Sequence, residues 1–148
     1  MKPTHLVVEF RAEHVAANAV LLWDDAPEIC QAVVDAAPMD LRCHHAIYSG
    51  SEIAAVTPQL SQLAPARPTS EVEVGDLAYA YVFAADHYGV NTDFAEVCWF
   101  YDIDARPSMF TGPLEVSRFA KFEDAQDFFR VSRLMRTEGA KDVRVTLP

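Results

Sequence analysis

Short segments in which apolar and polar residues alternate recur along the whole 148-residue chain. In the first of them, Leu6, Val8 and Phe10 fall on one face, and the intervening residues fall on the other. A period of two is typical of a β-strand with one buried face. Eight strands are predicted on this pattern, at residues 6–11, 15–23, 41–48, 52–57, 77–83, 96–103, 114–122 and 143–147. The chain is therefore expected to be mainly β-structure.

Two segments carry helical spacing instead. Asp25 is predicted to cap the first helix, because Glu28 follows three residues later and Pro27 occupies the first turn. This helix is expected to end before Pro38. The second helix is predicted over residues 123–137, with acidic residues in its first turns and arginines in its later ones, which complements the helix dipole.

The order of these elements favours a closed sheet. Hairpin-like links dominate, so antiparallel pairing is expected, and closing the sheet removes the edges that eight strands would otherwise expose. We predict a small closed β-barrel with two helices capping its ends, and a single domain over residues 1–148. Closure is expected to place residues 43–47 beside residues 97–101.

Composition excludes several partners. The formal net charge is −10, from 22 acidic and 12 basic residues. Binding to phosphate backbones requires clustered Lys and Arg, so neither nucleic acid nor an anionic membrane is an expected partner. No apolar run approaches the roughly 20 residues that span a bilayer, and the first residues lead directly into a strand pattern. A cytoplasmic protein is expected.

The cysteines and histidines show no recognisable metal or disulfide spacing. Cys30, Cys43 and Cys98 are far apart and lie in apolar stretches, which favours small buried hydrophobic residues over a disulfide framework. The histidines and carboxylates lack the His-x-x-x-His type of spacing. No Gly-rich phosphate loop or Gly-x-Ser-x-Gly motif is present. Neither a metal nor another cofactor is expected.

Several segments resemble a known fold family. Residues 25–33, Asp-Ala-Pro-Glu-Ile-Cys-Gln-Ala-Val, resemble the start of the first cyclophilin helix, and residues 43–47 resemble a cyclophilin strand. The chain is more similar still to bacterial proteins of unknown function with a cyclophilin-like fold. The shared motifs are His-Ala-x-(Trp/Tyr)-Ser-Gly-x-Glu at residues 45–52, Gly-Asp-(Leu/Ile)-Ala-Tyr at residues 75–79, and the pair Phe100-Tyr101.

The resemblance implies a cyclophilin-like barrel with a binding groove on it. In cyclophilins an arginine polarises the prolyl amide, and His45 or Ala46 occupies that place here. A neutral histidine can donate one hydrogen bond but lacks a fixed positive charge. Weak or absent prolyl isomerase activity is therefore predicted.

His45 is the first candidate site residue. Neighbouring residues of a strand point to opposite faces, so His44 and His45 cannot share a ligand. Glu52 follows the turn and is expected to meet His45 across the hairpin, where it could hold the imidazole in one tautomer for general-base catalysis. Alternatively, His45 is a hydrogen-bonded core histidine, and Glu52 is an ordinary surface carboxylate.

Aromatic residues complete the candidate site. The predicted ligand-binding set is His45, Tyr48, Glu52, Tyr79, Phe100 and Tyr101. Aromatic side chains at alternate strand positions also commonly fill a barrel core, and that alternative stays open. Met109 and Phe110 could frame the groove or pack against another subunit, and a homo-oligomer is expected.

The function predicted from the sequence is binding of a small molecule or peptide in a groove on the barrel, without efficient prolyl isomerase activity. An enzyme that uses His45 and Glu52, either a prolyl isomerase or one acting on a small metabolite, is the first alternative. The second is an assembly module whose aromatic loops form the subunit contact.

Overall fold

The computed structural model describes residues 2–148. Within them the order of elements is β1 (His5–Phe10), β2 (Val15–Leu21), α1 (Pro27–Ala36), β3 (Met39–His45), β4 (Glu52–Val56), β5 (Asp76–Val82), β6 (Phe94–Phe100), β7 (Ser108–Met109), β8 (Gly112–Pro113), β9 (Ser117–Glu123), α2 (Gln126–Glu138) and β10 (Lys141–Thr146). A single 3-10 turn, Ala84–Asp86, follows β5. Neither helix has the length and apolar character that would let it cross a membrane.

Eight of the strands close into an antiparallel barrel in the order β1-β10-β3-β4-β6-β5-β9-β2. The predicted mainly-β closed barrel with two helices is thereby confirmed. None of the eight predicted strands covers residues 104–113, but β7 and β8 pair there as a small separate hairpin. This hairpin lies outside the barrel order.

The ends of two predicted strands are displaced. β3 ends at His45 rather than Tyr48, because residues 47–50 form a bend. β6 ends at Phe100 rather than at residue 103. In the barrel order β4 lies between β3 and β6, so residues 43–47 and 97–101 are not adjacent strands as predicted.

The barrel interior is apolar and centred on Trp99. The rings of Phe10 and Phe128 pack with centroids 4.7 Å apart, and Phe128 lies 5.3 Å from Trp99. The indole Nε1 donates to the Ser132 hydroxyl at 3.1 Å, which satisfies the one polar atom of that side chain. Phe128 and Ser132 both belong to α2, so this helix delivers its buried face into the core. The buried residues of α1, Ile29, Cys30 and Val33, belong to the same core.

The predicted cap of α1 is not formed. Ala26 is the cap residue, and no side chain bonds the helix start. The backbone N–H groups of Asp25 and Ala26 both donate to the Leu22 carbonyl, so a turn precedes the helix and Asp25 stands one residue outside the cap position. Asp25 instead accepts a hydrogen bond from Arg67 at 2.6 Å.

A second apolar cluster lies outside the barrel. Strand alternation sends every other residue of β4, β6 and β5 outward, and most of these outward residues are small or apolar. We call this side of the three strands the outer sheet face; it is formed by Ala54, Ala78, Ala80, Cys98 and Phe100 and is covered by Val72, Ala105, Leu114 and Val116 from the long connections. Loop residues thus shield from water a sheet face that a free-standing barrel would expose.

Candidate functional site

Two carboxylates and a thiol meet on the outer sheet face. Glu52 comes from β4, Glu96 and Cys98 come from β6, and one donor atom from each lies within 4.8 Å of the other two. Glu96 and Cys98 are two residues apart and so share a face. The strand register pairs Ala54 with Cys98, which places Glu52, two residues before Ala54, on that same face. We call these three residues the acid–thiol cluster.

Glu52 is an unusual member of this cluster. Its residue surface is only 4% exposed, and its Oε1 atom has no hydrogen-bond partner. Burial, reinforced by the nearby Glu96 carboxyl group, raises the pKa of Glu52 to about 8, and the nearby Ser49 side chain only partly opposes this. Glu52 therefore holds a proton near neutral pH unless a positive group reaches it.

The two residues from β6 share this environment. Glu96 is only partly buried as a residue, yet desolvation raises the pKa of its carboxyl group to about 7. Burial and the two carboxyl groups raise the pKa of the Cys98 thiol well above its ordinary value. The thiol makes a long contact, 3.8 Å, with the Ala78 carbonyl oxygen. Glu96 is the member through which solvent reaches the cluster.

Two loops are fastened together beside the cluster. The Ser49 hydroxyl donates to the Ser108 carbonyl at 3.1 Å and accepts from the Ser108 N–H at 2.9 Å. Gly50 has a φ of +69°, and a Cβ atom there would collide with the Asp104 carbonyl oxygen. Only glycine can adopt this positive φ and lie this close to the Asp104 carbonyl without strain. The Ser49 side chain near Glu52 is thereby held in place.

Exposed aromatic side chains lie on these two loops and on the loop that follows β5. The Phe110 ring lies 6.1 Å from both Tyr48 and Tyr88, and all three side chains are at least half exposed. His87 Nδ1 and the Thr111 hydroxyl, 2.9 Å apart, tie the Tyr88 loop to the Phe110 loop. We call Tyr48, Tyr88 and Phe110 the aromatic rim. Its rings offer flat apolar surface next to the chain segment that carries Ser49.

His45 belongs to a different cluster. Its Nδ1 lies 2.8 Å from the Ala46 carbonyl, which can only accept, so Nδ1 carries the hydrogen and Nε2 accepts from the Tyr101 hydroxyl at 2.7 Å. The Tyr101 oxygen in turn accepts from Arg136 Nε at 3.1 Å. Burial, together with the Arg136 charge, lowers the pKa of His45. The imidazole is therefore neutral and fully hydrogen-bonded.

The predicted pairing of His45 with Glu52 is not formed. The register places His45 opposite Ile53, whose side chain lies in the core, whereas the Glu52 side chain lies on the other face. Tyr79 is also displaced from the expected groove. It is buried in the barrel core, where its hydroxyl donates to the Ser61 carbonyl at 2.7 Å and accepts from the Leu63 N–H at 3.0 Å.

The six predicted ligand residues thus occupy separate places. Glu52 and Phe100 lie on the outer sheet face, Tyr48 lies in the aromatic rim, and Tyr79 lies in the core. His45 and Tyr101 lie against α2. Glu96 and Cys98 are absent from the predicted set. A glutamate two residues before a cysteine, in a strand that is otherwise apolar and aromatic, is the signal that could have found them.

A separate cavity lies away from the acid–thiol cluster. It has a volume of about 440 Å³ and is lined chiefly by the loop at residues 62–68 and by Tyr81 and Phe83. Glu115 is its one acidic lining residue, and it is exposed. Concavity alone does not mark a functional site, whereas buried ionisable groups with displaced pKa values cluster at such sites. We therefore place the candidate site at the acid–thiol cluster.

The fold and site together define an eight-stranded antiparallel barrel protein with two helices and a buried acid–thiol cluster on its covered outer face. The chain belongs to the family described as "Protein of unknown function (DUF3830)", whose model matches residues 8–147. None of the curated proteins matches the sequence.

Two solved structures share the fold. One is the solution structure of the hypothetical protein AF2241 from Archaeoglobus fulgidus, with a TM-score of 0.62 and 18% identity over 99% of this chain and 96% of that one. The other is McbB in complex with tryptophan, with a TM-score of 0.63 and 13% identity over 96% of this chain. The match covers 44% of the McbB chain. At these identities the likeness concerns the fold.

Proposed function

We propose that this protein is a cyclophilin-like barrel that binds a small molecule on its outer sheet face, between the acid–thiol cluster and the aromatic rim. The observation that carries the proposal is the buried Oε1 atom of Glu52, which has no hydrogen-bond partner. Buried polar atoms in native proteins are nearly always paired, and an unpaired one costs roughly 1–3 kcal/mol. A ligand that brings a positive or hydrogen-donating group to Glu52 removes this cost.

The two parts of the site favour one ligand class. Carboxylates select an amine or another donor, and exposed aromatic rings favour a flat apolar body that stacks on them. The structural neighbour McbB was solved with tryptophan, a molecule that combines an ammonium group with an indole ring. Tryptophan and tryptamine are therefore the first probes, chosen by this chemistry and by likeness of fold.

The enzyme alternatives lose support from the geometry. His45 is neutral, is bonded at both ring nitrogens, and lies on the sheet face opposite to the one that carries Glu52. A prolyl isomerase of the cyclophilin type needs a fixed cation at the amide, and a neutral imidazole does not supply one. In a protease-coupled proline-peptide assay we expect the rate at micromolar protein to equal the background rate.

The binding proposal is tested by thermal denaturation with and without each probe. A ligand at about 100 times its Kd stabilises the folded state by roughly 2.7 kcal/mol, so binding raises the melting temperature. Tryptamine is expected to raise it for the unmodified protein, and Glu52→Gln and Phe110→Ala are expected to abolish the rise. Glu115→Gln, at the cavity beside residues 62–68, is the matched control and should leave the rise unchanged. A rise lost only in Glu115→Gln would place the ligand in that cavity instead.

The assembly alternative competes for the same surface, because Phe110 is half exposed and lies in the aromatic rim. Size-exclusion chromatography of a Met109→Asp, Phe110→Asp double variant separates the two. A smaller particle for the variant than for the unmodified protein would assign the rim to a subunit contact. An unchanged elution volume favours the ligand.

A further inference from the structure

We infer that Glu52, Glu96 and Cys98 form a binding site for a divalent transition-metal ion, and that Zn²⁺ fits their donor set best. The inference deepens the proposed function and rests on it for the role of the ion, which would hold the polar end of the small molecule. Binding of the ion itself does not require that molecule, so each proposal can fail without the other.

The positions of the donor atoms support a metal site. The three atoms lie within 4.8 Å of one another. A tetrahedral zinc ion has its ligands about 2.0–2.3 Å away and hence about 3.5 Å from each other. Glu96 and Cys98 are fixed on one strand at same-face spacing, and the β4–β6 ladder fixes Glu52 beside them. Side-chain rotation of the two glutamates is enough to close the remaining distance.

The condition of Glu52 is the second, independent observation. The residue is 4% exposed, and its Oε1 atom has no hydrogen-bond partner within residues 2–148. Among residues 2–148, no Lys, Arg or His side chain forms an ion pair with Glu52 or Glu96. Two adjacent buried carboxyl groups without a cation disfavour each other's ionised form, and a dication would stabilise both as carboxylates.

The mixture of donors selects the kind of metal. Ca²⁺ requires six to eight oxygen ligands and Mg²⁺ prefers octahedral oxygen, which two carboxylates and a thiol do not provide. A thiolate favours zinc and similar softer ions. Metal ions bind the thiolate and displace the thiol proton, so the protons that the cluster holds without metal are released on binding.

The number of ligands leaves one coordination position free. Catalytic zinc sites have three protein ligands and an open fourth position for water or substrate, whereas structural sites have four protein ligands. Glu96 is the partly exposed member, so the open position would face solvent on its side. An amine or carboxylate of a small molecule could enter there, while its apolar part contacts the aromatic rim.

Cobalt titration tests the site directly. The protein is purified, stripped of metal with a chelator, and titrated with Co²⁺, whose bond to a thiolate gives an intense near-ultraviolet charge-transfer absorption. We expect this absorption to saturate at one Co²⁺ per chain and to disappear when Zn²⁺ is added. Cys98→Ala should lose it. Glu52→Gln and Glu96→Gln should each weaken Co²⁺ binding roughly tenfold or more.

Matched controls separate this site from others. Cys43→Ala removes a buried thiol from the barrel interior, and Glu115→Gln removes an exposed carboxylate; both variants should bind Co²⁺ like the unmodified protein. Circular dichroism verifies that each variant is folded. The inference is overturned if the unmodified protein shows no saturable charge-transfer band, or if the band persists in Cys98→Ala.

The same preparations distinguish the two proposals. If tryptamine raises the melting temperature of the metal-free protein while Co²⁺ does not bind, the proposed function stands and the metal inference is wrong. If Co²⁺ binds at the cluster but neither tryptamine nor tryptophan affects melting with or without metal, the ligand class is wrong and the metal site stands.

Discussion

Two acidic side chains, Asp76 and Glu52, are buried to nearly the same extent but differ in their partners. Asp76 is 2% exposed, and Lys121 and Arg118 approach it at 3.2 and 3.7 Å. Its carboxylate also accepts from the Glu73 backbone N–H at 2.8 Å. Glu52 is 4% exposed and has no cation, and one of its oxygens has no partner.

The contrast separates a structural carboxylate from one available to a ligand. The partners of Asp76 come from residues that the barrel itself brings together, because Asp76 is paired with Lys121 in the β5–β9 ladder. Glu52 gains no such partner from its ladder, where it is paired with Phe100. An acidic side chain that is buried without a partner lowers the stability of the fold. Proteins tolerate such destabilising groups mainly at functional sites.

The largest effect is expected for Asp76→Asn. It leaves two cations beside a neutral amide and should destabilise the protein by about 3 kcal/mol, at the low end for a broken buried pair because Lys121 and Arg118 are each about a third exposed. Urea denaturation near neutral pH measures this. Glu73→Gln, which removes only an exposed partner of Lys121, is the control and should leave stability nearly unchanged. Equal effects from both variants would contradict the structural role of Asp76.

The opposite sign is expected for Glu52→Gln. In the metal-free protein the folded-state pKa of Glu52, about 8, lies above its ordinary value of 4.5. Its contribution to stability is therefore complete below the unfolded pKa, declines as the pH rises between the two values, and is gone above about pH 8. Glu52→Gln should match the unmodified protein at about pH 5 and exceed its stability by about 2 kcal/mol at about pH 9.

Urea denaturation across that pH range checks this prediction. The stability of the unmodified protein should fall as the pH rises, and the fall should be smaller in the variant. If the stability of the unmodified protein did not change with pH, a group within the protein would already stabilise the ionised form of Glu52. Glu52 would then be paired as Asp76 is, and the contrast between the two residues would disappear.

The sequence predicted the parts of the fold that depend on local patterns. Leu6, Val8 and Phe10 share the core face as their alternation indicated, and Phe128 and Met135 lie on the buried side of α2 as helical spacing indicated. The three cysteines are buried, as their apolar surroundings suggested. Each of these predictions uses neighbours within one strand or one helix, where period determines face.

The sequence could not predict which side chains meet across strands. Glu52 and Glu96 meet because β4 pairs with β6 in one register, and no local pattern reveals a register between segments so far apart. The expected contact between His45 and Glu52 failed for a related reason. In a strand pair a shift of one residue moves a side chain to the opposite face, and Ile53 is the residue opposite His45.

Gly50→Ala tests whether the loop beside Glu52 contributes to its environment. The φ of +69° and the approach of the Asp104 carbonyl make the substitution unfavourable, by about 1–2 kcal/mol. Gly89→Ala, also at positive φ but with open space around it, is the matched control for backbone strain alone. Thermal denaturation should show a larger loss for Gly50→Ala. If the two losses are equal, the contact with Asp104 adds nothing.

The smallest effect is expected for Tyr101→Phe. This variant tests the Tyr101 hydroxyl, a buried polar group that has hydrogen-bond partners within the protein. The Tyr101 hydroxyl links His45 to Arg136, so its removal leaves His45 Nε2 without a donor and should cost about 1 kcal/mol. Tyr88→Phe, with an exposed side chain, should cost nothing measurable. Because this cluster resembles Asp76 in having its partners within the protein, Tyr101→Phe should lower stability but leave the tryptamine-induced rise in melting temperature unchanged. If Tyr101→Phe abolished the tryptamine-induced rise while stability stayed constant, the ligand would bind at His45 and Tyr101 rather than at Glu52.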